Sequence, residues 1–295
     1  VYILPVIGGF VGGDTVAGMV AIRMWERQGP LVLVDLGTNG EIALRHAGQF
    51  HAAATAAGPA FEGARIRHGM RALPGAIERV AFDDGQIRYQ VIGGEKPAGI
   101  CGSGLVDLLA ELLRHGLVDS SGRLISPESL SSRVPEALRH RLYLEEGRPA
   151  FLVVPATESA TGRPIVLTQQ DIRQLQLATA AIRAGLRVLC QQVGLPLDQI
   201  QEIWIAGGFG YYLRAENAQR IGLLPAEIPT ERIHFAGNTS IAGAILAASS
   251  LEARQYAAWL AEQTRHVDLA TEPTFQQAFI QAMAFPPAED ARVHV

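Results

Sequence analysis

The sharpest change of hydrophobic pattern lies between residues 31 and 44. There the apolar run LVLVDL (Leu31–Leu36) meets a turn of Gly37, Thr38, Asn39 and Gly40, and a second short run follows. Strong β formers flanking an Asn-Gly turn predict a hairpin. Upstream, VYILPVIGGF predicts a strand running into a loop with Gly8, Gly9, Gly12 and Gly13. Asp14 would then cap a helix through about Arg27, with Val16, Met19, Val20 and Met24 on one face. Downstream, IERVAF and IRYQVIG predict a hairpin around Asp83, Asp84 and Gly85, and LVDLLAELLRHG a core helix ending at Gly116. From Asp119 to about Pro164 the pattern weakens, as expected of a small insertion with short strands such as AFLVVP.

Thr168 to Asp171 reads as a T-x-x-D box opening the longest helix, to about Val193, with Ile172, Leu175, Ile182, Leu186 and Leu189 at helical spacing. QEIWIA and RIHFAGN are strands that each lead through a glycine or polar turn into a helical segment. The tail predicts a helix at about 251 to 264, a strand HVDLA, and a last helix stopped by Pro286-Pro287. Strands alternating with helices define an α/β chain. In chain order it divides into residues 1–118, an insertion at 119–166, and residues 167–295.

Composition narrows the functions open to such a chain. At 295 residues, 48% hydrophobic and 18% charged, it can bury a real core, and its net charge of -4 argues against a nucleic-acid partner. Lys96 is the only lysine and follows Glu95, which excludes a P-loop. Cys101 and Cys190 stand far apart, so one copy of the chain has neither a disulfide framework nor a four-cysteine cluster site. No apolar run reaches the length of a membrane span, and no signal peptide is evident, so a cytoplasmic setting is expected. The chain opens on VYILP without a methionine, and the expectation is a piece of something longer.

Several stretches could carry chemistry. Asp35 ends a run that otherwise reads as a fully buried strand, where a carboxylate is out of place. Beside a turn of glycine and threonine it suits a magnesium ion and the phosphates that the ion bridges, or it caps the turn and nothing more. Glu41 restores polarity on the far side of the turn. AATAAGPAFEGARIRHGM (Ala53 to Met70) is rich in small residues, with Glu62, Arg65, Arg67 and His68 as its polar content. It is either an approach to a ligand or a packed loop with a solvated basic rim. GICGSG places Gly102, Ser103 and Gly104 at a helix N-terminus, which suits an anion or is a plain cap on a core helix. Gly207, Gly208 and Gly210 follow a strand and would let an adenosine lie against the backbone. As a Rossmann fingerprint they are poorly spaced.

Taken together, GGFVGGDTVAGM, LVDLGTNGEIAL, TAAGPAFEGARIRHGMRALPGAIE, GICGSGLVDLLAELL, LTQQDIRQLQLATAAIRAG, IAGGFGYYL with RIGLLP, and FAGNTSIAGA resemble the actin-like ATPases. More specifically they are similar to the ATP-dependent reductive activators of corrinoid proteins, over about Gly8 to Pro286. The resemblance implies an actin-like ATPase (ribonuclease H-like) fold, with mixed sheets flanked by helices and incomplete at its N-terminus. It implies a cytoplasmic homodimer that uses ATP to return cob(II)amide on a partner corrinoid protein to cob(I)amide, supporting methyl transfer. The electron would come from a 2Fe-2S cluster in an N-terminal ferredoxin domain, whose cysteines are absent from this sequence, as is an earlier phosphate loop.

On that pattern Asp35, Gly37, Thr38, Asn39 and Gly40 face phosphates and magnesium, with Asp35 as the metal ligand. Glu41 positions water, Gly207, Gly208 and Gly210 face the adenosine, and Gly102, Ser103 and Gly104 line the cleft or only turn the chain. Two other classes compete. One is a small-molecule kinase of the same fold, with Glu41 or Glu62 as base. The other is a non-catalytic module that docks the corrinoid protein or holds the dimer. A cluster shared across a dimer through Cys101 or Cys190 lacks any sequence context resembling such sites.

Overall fold

The computed structural model describes residues 2–132, 134–208 and 213–287. In chain order its elements are α1 (Gly13–Ala21), β1 (Leu31–Leu36), β2 (Gly40–His46), β3 (Gln49–Thr55), β4 (Ala76–Asp83), β5 (Gln86–Val91), β6 (Gly99–Ile100), α2 (Gly102–Arg114), α3 (Glu136–Arg139), β7 (Leu142–Glu145), β8 (Arg148–Val154) and β9 (Ile165–Thr168). There follow α4 (Gln169–Gln192), β10 (Glu202–Ala206), α5 (Ala215–Arg220), β11 (Ile233–Gly237), α6 (Thr239–Ser249), α7 (Leu251–Gln263), β12 (Thr264–His266) and α8 (Phe275–Ala282). Two compact units result. Unit 1 comprises Val1–Ala57, Ala180–Tyr211 and Glu227–Ala282, and unit 2 comprises Gly58–Thr179, Tyr212–Ala226 and Met283–Val295.

Both units are discontinuous. The reason is strand pairing. β10 runs parallel to β1 and β11 parallel to β10, so strands late in the sequence complete a sheet begun by the first. The unit 1 sheet has the order β11-β10-β1-β2-β3-β12, with β1, β2 and β3 as an antiparallel meander. Its central strand carries Leu31, Val32, Leu33 and Val34, all essentially buried, each contributing roughly 1.5–3 kcal/mol. One face packs on Val16, Met19 and Val20 of α1, with Ala257 and Leu260 of α7 in the same core. On α4, Gly185 lies against Ile42, and Ile182 against Gly40. A Cβ on Gly243 of α6 would come within 2.0 Å of the Ala17 carbonyl, so glycine there sets the close approach of α6 to α1.

Unit 2 holds two three-stranded sheets, β5-β4-β6 and β7-β8-β9, together with α2 and α5. Residues 119–166, read as an insertion, belong to this unit and supply the second sheet. The T-x-x-D box forms as expected. Asp171 accepts from the Thr168 amide at 2.8 Å and hydroxyl at 2.7 Å, and its other oxygen accepts from the Arg67 amide at 2.8 Å.

Three local expectations fail. VYILPVIGGF forms no strand; residues 2–12 hold only a bridge between Gly8 and Val11, closing a turn at Gly9 (φ 53°). Ile3, Val6 and Phe10 are exposed, and among the described residues no strand pairs with this β-prone run. The first helix stops at Ala21 rather than Arg27, because Arg23 takes a left-handed conformation (φ 52°). The tail strand is Thr264–His266 rather than HVDLA, since it is these residues that lie in register with Phe50, His51 and Ala52 of β3.

Candidate functional site

The predicted hairpin forms, and its register creates the site: Asp35 on β1 lies directly opposite Glu41 on β2. Asp35 and Glu41 are half-buried, whereas Thr38 and Asn39 at the tip are exposed. The turn is closed by the Gly37 amide donating to the Asn39 carbonyl at 3.0 Å. On the other side of β1, β10 ends level with Asp35 and turns at Gly207. Gly207 has φ 98°, and a Cβ there would stand 2.5 Å from the Leu36 carbonyl oxygen and 3.0 Å from Asp35 Oδ1. Only glycine lets this turn pass so close to the carboxylate. Gly208, next along, faces open space. Gly210 lies outside the described residues.

From β11 the chain enters α6 through Asn238, whose Oδ1 accepts from the Ile241 amide at 3.0 Å. In the first turn of α6, the Ser240 hydroxyl donates to Asp35 Oδ2 at 3.3 Å. Burial pushes the Asp35 carboxyl above the usual carboxylate range; the Ser240 hydrogen bond opposes this and the charge of Asp14 adds to it. Glu41 is pushed up to about 7, by burial first and then by the charges of Asp14 and Asp35, against its own amide and the Asn39 side chain. Three carboxylates thus repel one another at the mouth of one sheet. Such a site gains from a cation.

Hard oxygen donors suit magnesium. Among the described residues no group of three or more His, Cys, Asp or Glu side chains is placed to hold a metal by itself. Magnesium generally takes one or two carboxylates and completes its shell with phosphates and water.

Asp14 and Ser240 were not recognised as site residues from sequence. Asp14 reads there as a helix cap; in the structure Gly12 occupies the cap position and Asp14 lies in the first turn of α1, accepting from the Thr15 amide at 2.8 Å. No local signal separates the two roles. Ser240 was marked only by its place after the strand RIHFAGN.

Gly40 and Gly104 have packing reasons. A Cβ on Gly40 would meet Ile182 Cγ1 at 2.8 Å and Thr55 Cγ2 at 3.2 Å. Gly102, Ser103 and Gly104 belong to unit 2 and are buried in the first turn of α2, whose cap position is Cys101. The Ser103 hydroxyl donates to the Glu78 carbonyl at 2.9 Å, and a Cβ on Gly104 would lie 2.3 Å from the Ile77 oxygen. Cys101 and Cys190 are both buried, in different units, and burial pushes the Cys190 thiol up to about 12. Neither is a ready ligand for a cluster.

Comparison with known proteins places this geometry in a family. The model of the C-terminal domain of RACo, the ASKHA domain, matches residues 30–294. The chain belongs to that family. Along its length this ASKHA domain is similar to the corrinoid activation enzyme RamQ of Eubacterium limosum, at 39% identity over 283 residues, covering 96% of this chain and 47% of RamQ. It is also similar to a [Co(II) methylated amine-specific corrinoid protein] reductase of Methanosarcina barkeri, at 26% identity, covering 95% of this chain and 51% of that protein. Among solved structures, a reductive activator for corrinoid, iron-sulfur protein matches with a TM-score of 0.87 at 38% identity, over 97% of this chain and 44% of that one. The expected fold class and family resemblance therefore stand, and the chain spans about half the length of these relatives. Among the described residues no helix is long and apolar enough to cross a membrane.

Proposed function

We propose that this ASKHA domain is the ATP-binding part of a reductive activator that returns cob(II)amide on a corrinoid protein to cob(I)amide and so supports methyl transfer. The relatives' names supply the reaction class. The observation in this chain that carries the nucleotide reading is the register pair Asp35–Glu41, half-buried and facing Asp14 at the mouth of the unit 1 sheet. On this reading Asp35 holds magnesium, directly or through water, and Ser240 orients its carboxylate. Amides of Thr38 and Asn39 hold phosphate oxygens at the exposed turn, which the Gly37 amide closes, with the Thr38 hydroxyl beside them. Gly207 and Gly208, with Gly210, lie against the adenosine. Bound magnesium would neutralise phosphate charge and offset the repulsion among the three acids. A Glu41 carboxyl that titrates near 7 suits a group that accepts a proton from water.

The 2Fe-2S cluster, which two buried cysteines do not support, is assigned to a separate ferredoxin domain, and the working protein to a cytoplasmic homodimer. ATP acts by closure and reshaping of the corrinoid-facing surface, apart from electron transfer itself. The test is titration calorimetry with ATP in the presence and absence of magnesium. Binding that needs magnesium and is lost in Asp35→Asn supports the proposal; binding indifferent to both contradicts it.

A further inference from the structure

Unit 2 contains a broad open basin of about 1090 Å³ that the nucleotide reading does not use. Five guanidiniums line it, from Arg65, Arg67, Arg123, Arg148 and Arg173, against the three carboxylates of Glu145, Glu146 and Asp171. The whole chain, by contrast, carries a net charge of -4. Two of the acids are already engaged. Asp171 is held by Thr168 and the Arg67 amide, and Glu145 receives the fork of Arg67 through both oxygens, one bond at 2.9 Å. Arg123 pairs with Asp119 at 3.3 Å, and among the described residues Arg173 donates to the Gln176 amide oxygen at 2.9 Å and meets no carboxylate. Arg65 and Arg148 have no carboxylate partner among the described residues. Three exposed arginines are thus left facing the basin with Glu146 as the one acid not yet engaged.

The floor decides what kind of anion fits. Gln169 accepts from the Leu124 amide at 2.8 Å and donates to the Gly122 carbonyl at 2.7 Å. Gln176 donates to the Ser121 carbonyl at 2.9 Å. A pocket for a small molecule aims a few unsatisfied polar groups at its ligand from the base. Here the base is satisfied and recognition lies in a ring of exposed guanidiniums, whose planar forks bind carboxylates two oxygens at a time, as Arg67 already binds Glu145.

We infer that this basin is a docking surface for a carboxylate-rich segment of a partner protein. Arg65, Arg148 and Arg173 each engage an acidic side chain, and Arg67 and Glu145 form a fixed wall between them. The inference goes beyond the nucleotide site and does not depend on it.

The test is fluorescence anisotropy of a labelled eight-residue polyglutamate peptide at low and at about 0.3 M salt. The wild-type chain is expected to bind it in a salt-sensitive manner, despite its overall negative charge. The triple variant Arg65→Gln, Arg148→Gln, Arg173→Gln should bind at least tenfold more weakly. The control pair Arg23→Gln, Arg88→Gln, exposed arginines outside the basin, should bind as wild type. No binding to wild type overturns the inference, as does equal loss in the control. One-site binding of inorganic tripolyphosphate where the peptide does not bind also overturns it, in favour of a small-anion pocket. Because all five substituted arginines are surface-exposed, the variants should keep the wild-type thermal transition.

Discussion

Two aspartates, Asp35 in unit 1 and Asp107 in unit 2, show how one side chain serves opposite ends. Asp107 is almost completely buried on α2, and every oxygen is answered. It accepts from the Val80 amide at 3.2 Å, Arg214 Nε at 3.0 Å and Asn217 Nδ2 at 2.6 Å, and pairs with Arg214 Nη2 at 2.8 Å. Among the described residues Asp35 accepts from one hydroxyl, Ser240 at 3.3 Å, and it faces two other acids. The first carboxylate ties α2 to β4 and α5. The second is left with unmet demand, as a binding site requires. Apolar surroundings alone do not distinguish them; partners do.

That contrast can be broken in order of size. Asp107→Ala should cost about 3–5 kcal/mol in urea unfolding, because it strands Arg214 and Asn217 in a largely buried network. A loss under about 1 kcal/mol would deny Asp107 its structural role. Asp171→Ala, which frees the Thr168 and Arg67 amides and unmakes the cap of α4, should cost about 1–3 kcal/mol in the same assay.

Glu41 should show itself through pH. The unfolded chain loses this proton near 4.5, while the folded chain holds it to about 7. Between those values the folded state binds more protons, so stability falls as pH rises and levels off above about 7. Glu41→Gln should flatten the fall in melting temperature across that window; an unchanged slope would show that Glu41 is not the group responsible. Least is expected of Arg67→Ala. Its ion pair with Glu145 is solvent-exposed, so the cost should stay below about 1 kcal/mol.

How much of this was legible in the sequence follows from range. The 31–44 hairpin, the box at Thr168 and the 24-residue α4 are written in local periodicity and turn chemistry, and they form. VYILPVIGGF has the same β-prone character, yet a strand needs a neighbour, and pairing is decided elsewhere in the chain. The glycines are instructive for the same reason. Gly207 and Gly104 look alike in sequence. One brings a turn up to the Asp35 carboxylate and the other lets α2 approach the Ile77 carbonyl, a difference set by residues distant in the chain. Asp14 became part of the site only when α1 and the β1–β2 hairpin came together, which no spacing along the chain records.

The central claim is that unit 1 holds magnesium and nucleotide phosphates at Asp35. Calorimetric titration of MgATP into wild type and Asp35→Asn, paired with their thermal melts, tests it most directly. The account predicts that the variant melts at or slightly above the wild-type temperature, since a repelled, partly buried charge is removed. It also predicts that MgATP affinity falls at least tenfold, in line with about 1.5–3 kcal/mol for a charged contact. A variant that loses stability but keeps wild-type affinity would contradict the account and make Asp35 a structural carboxylate like Asp107.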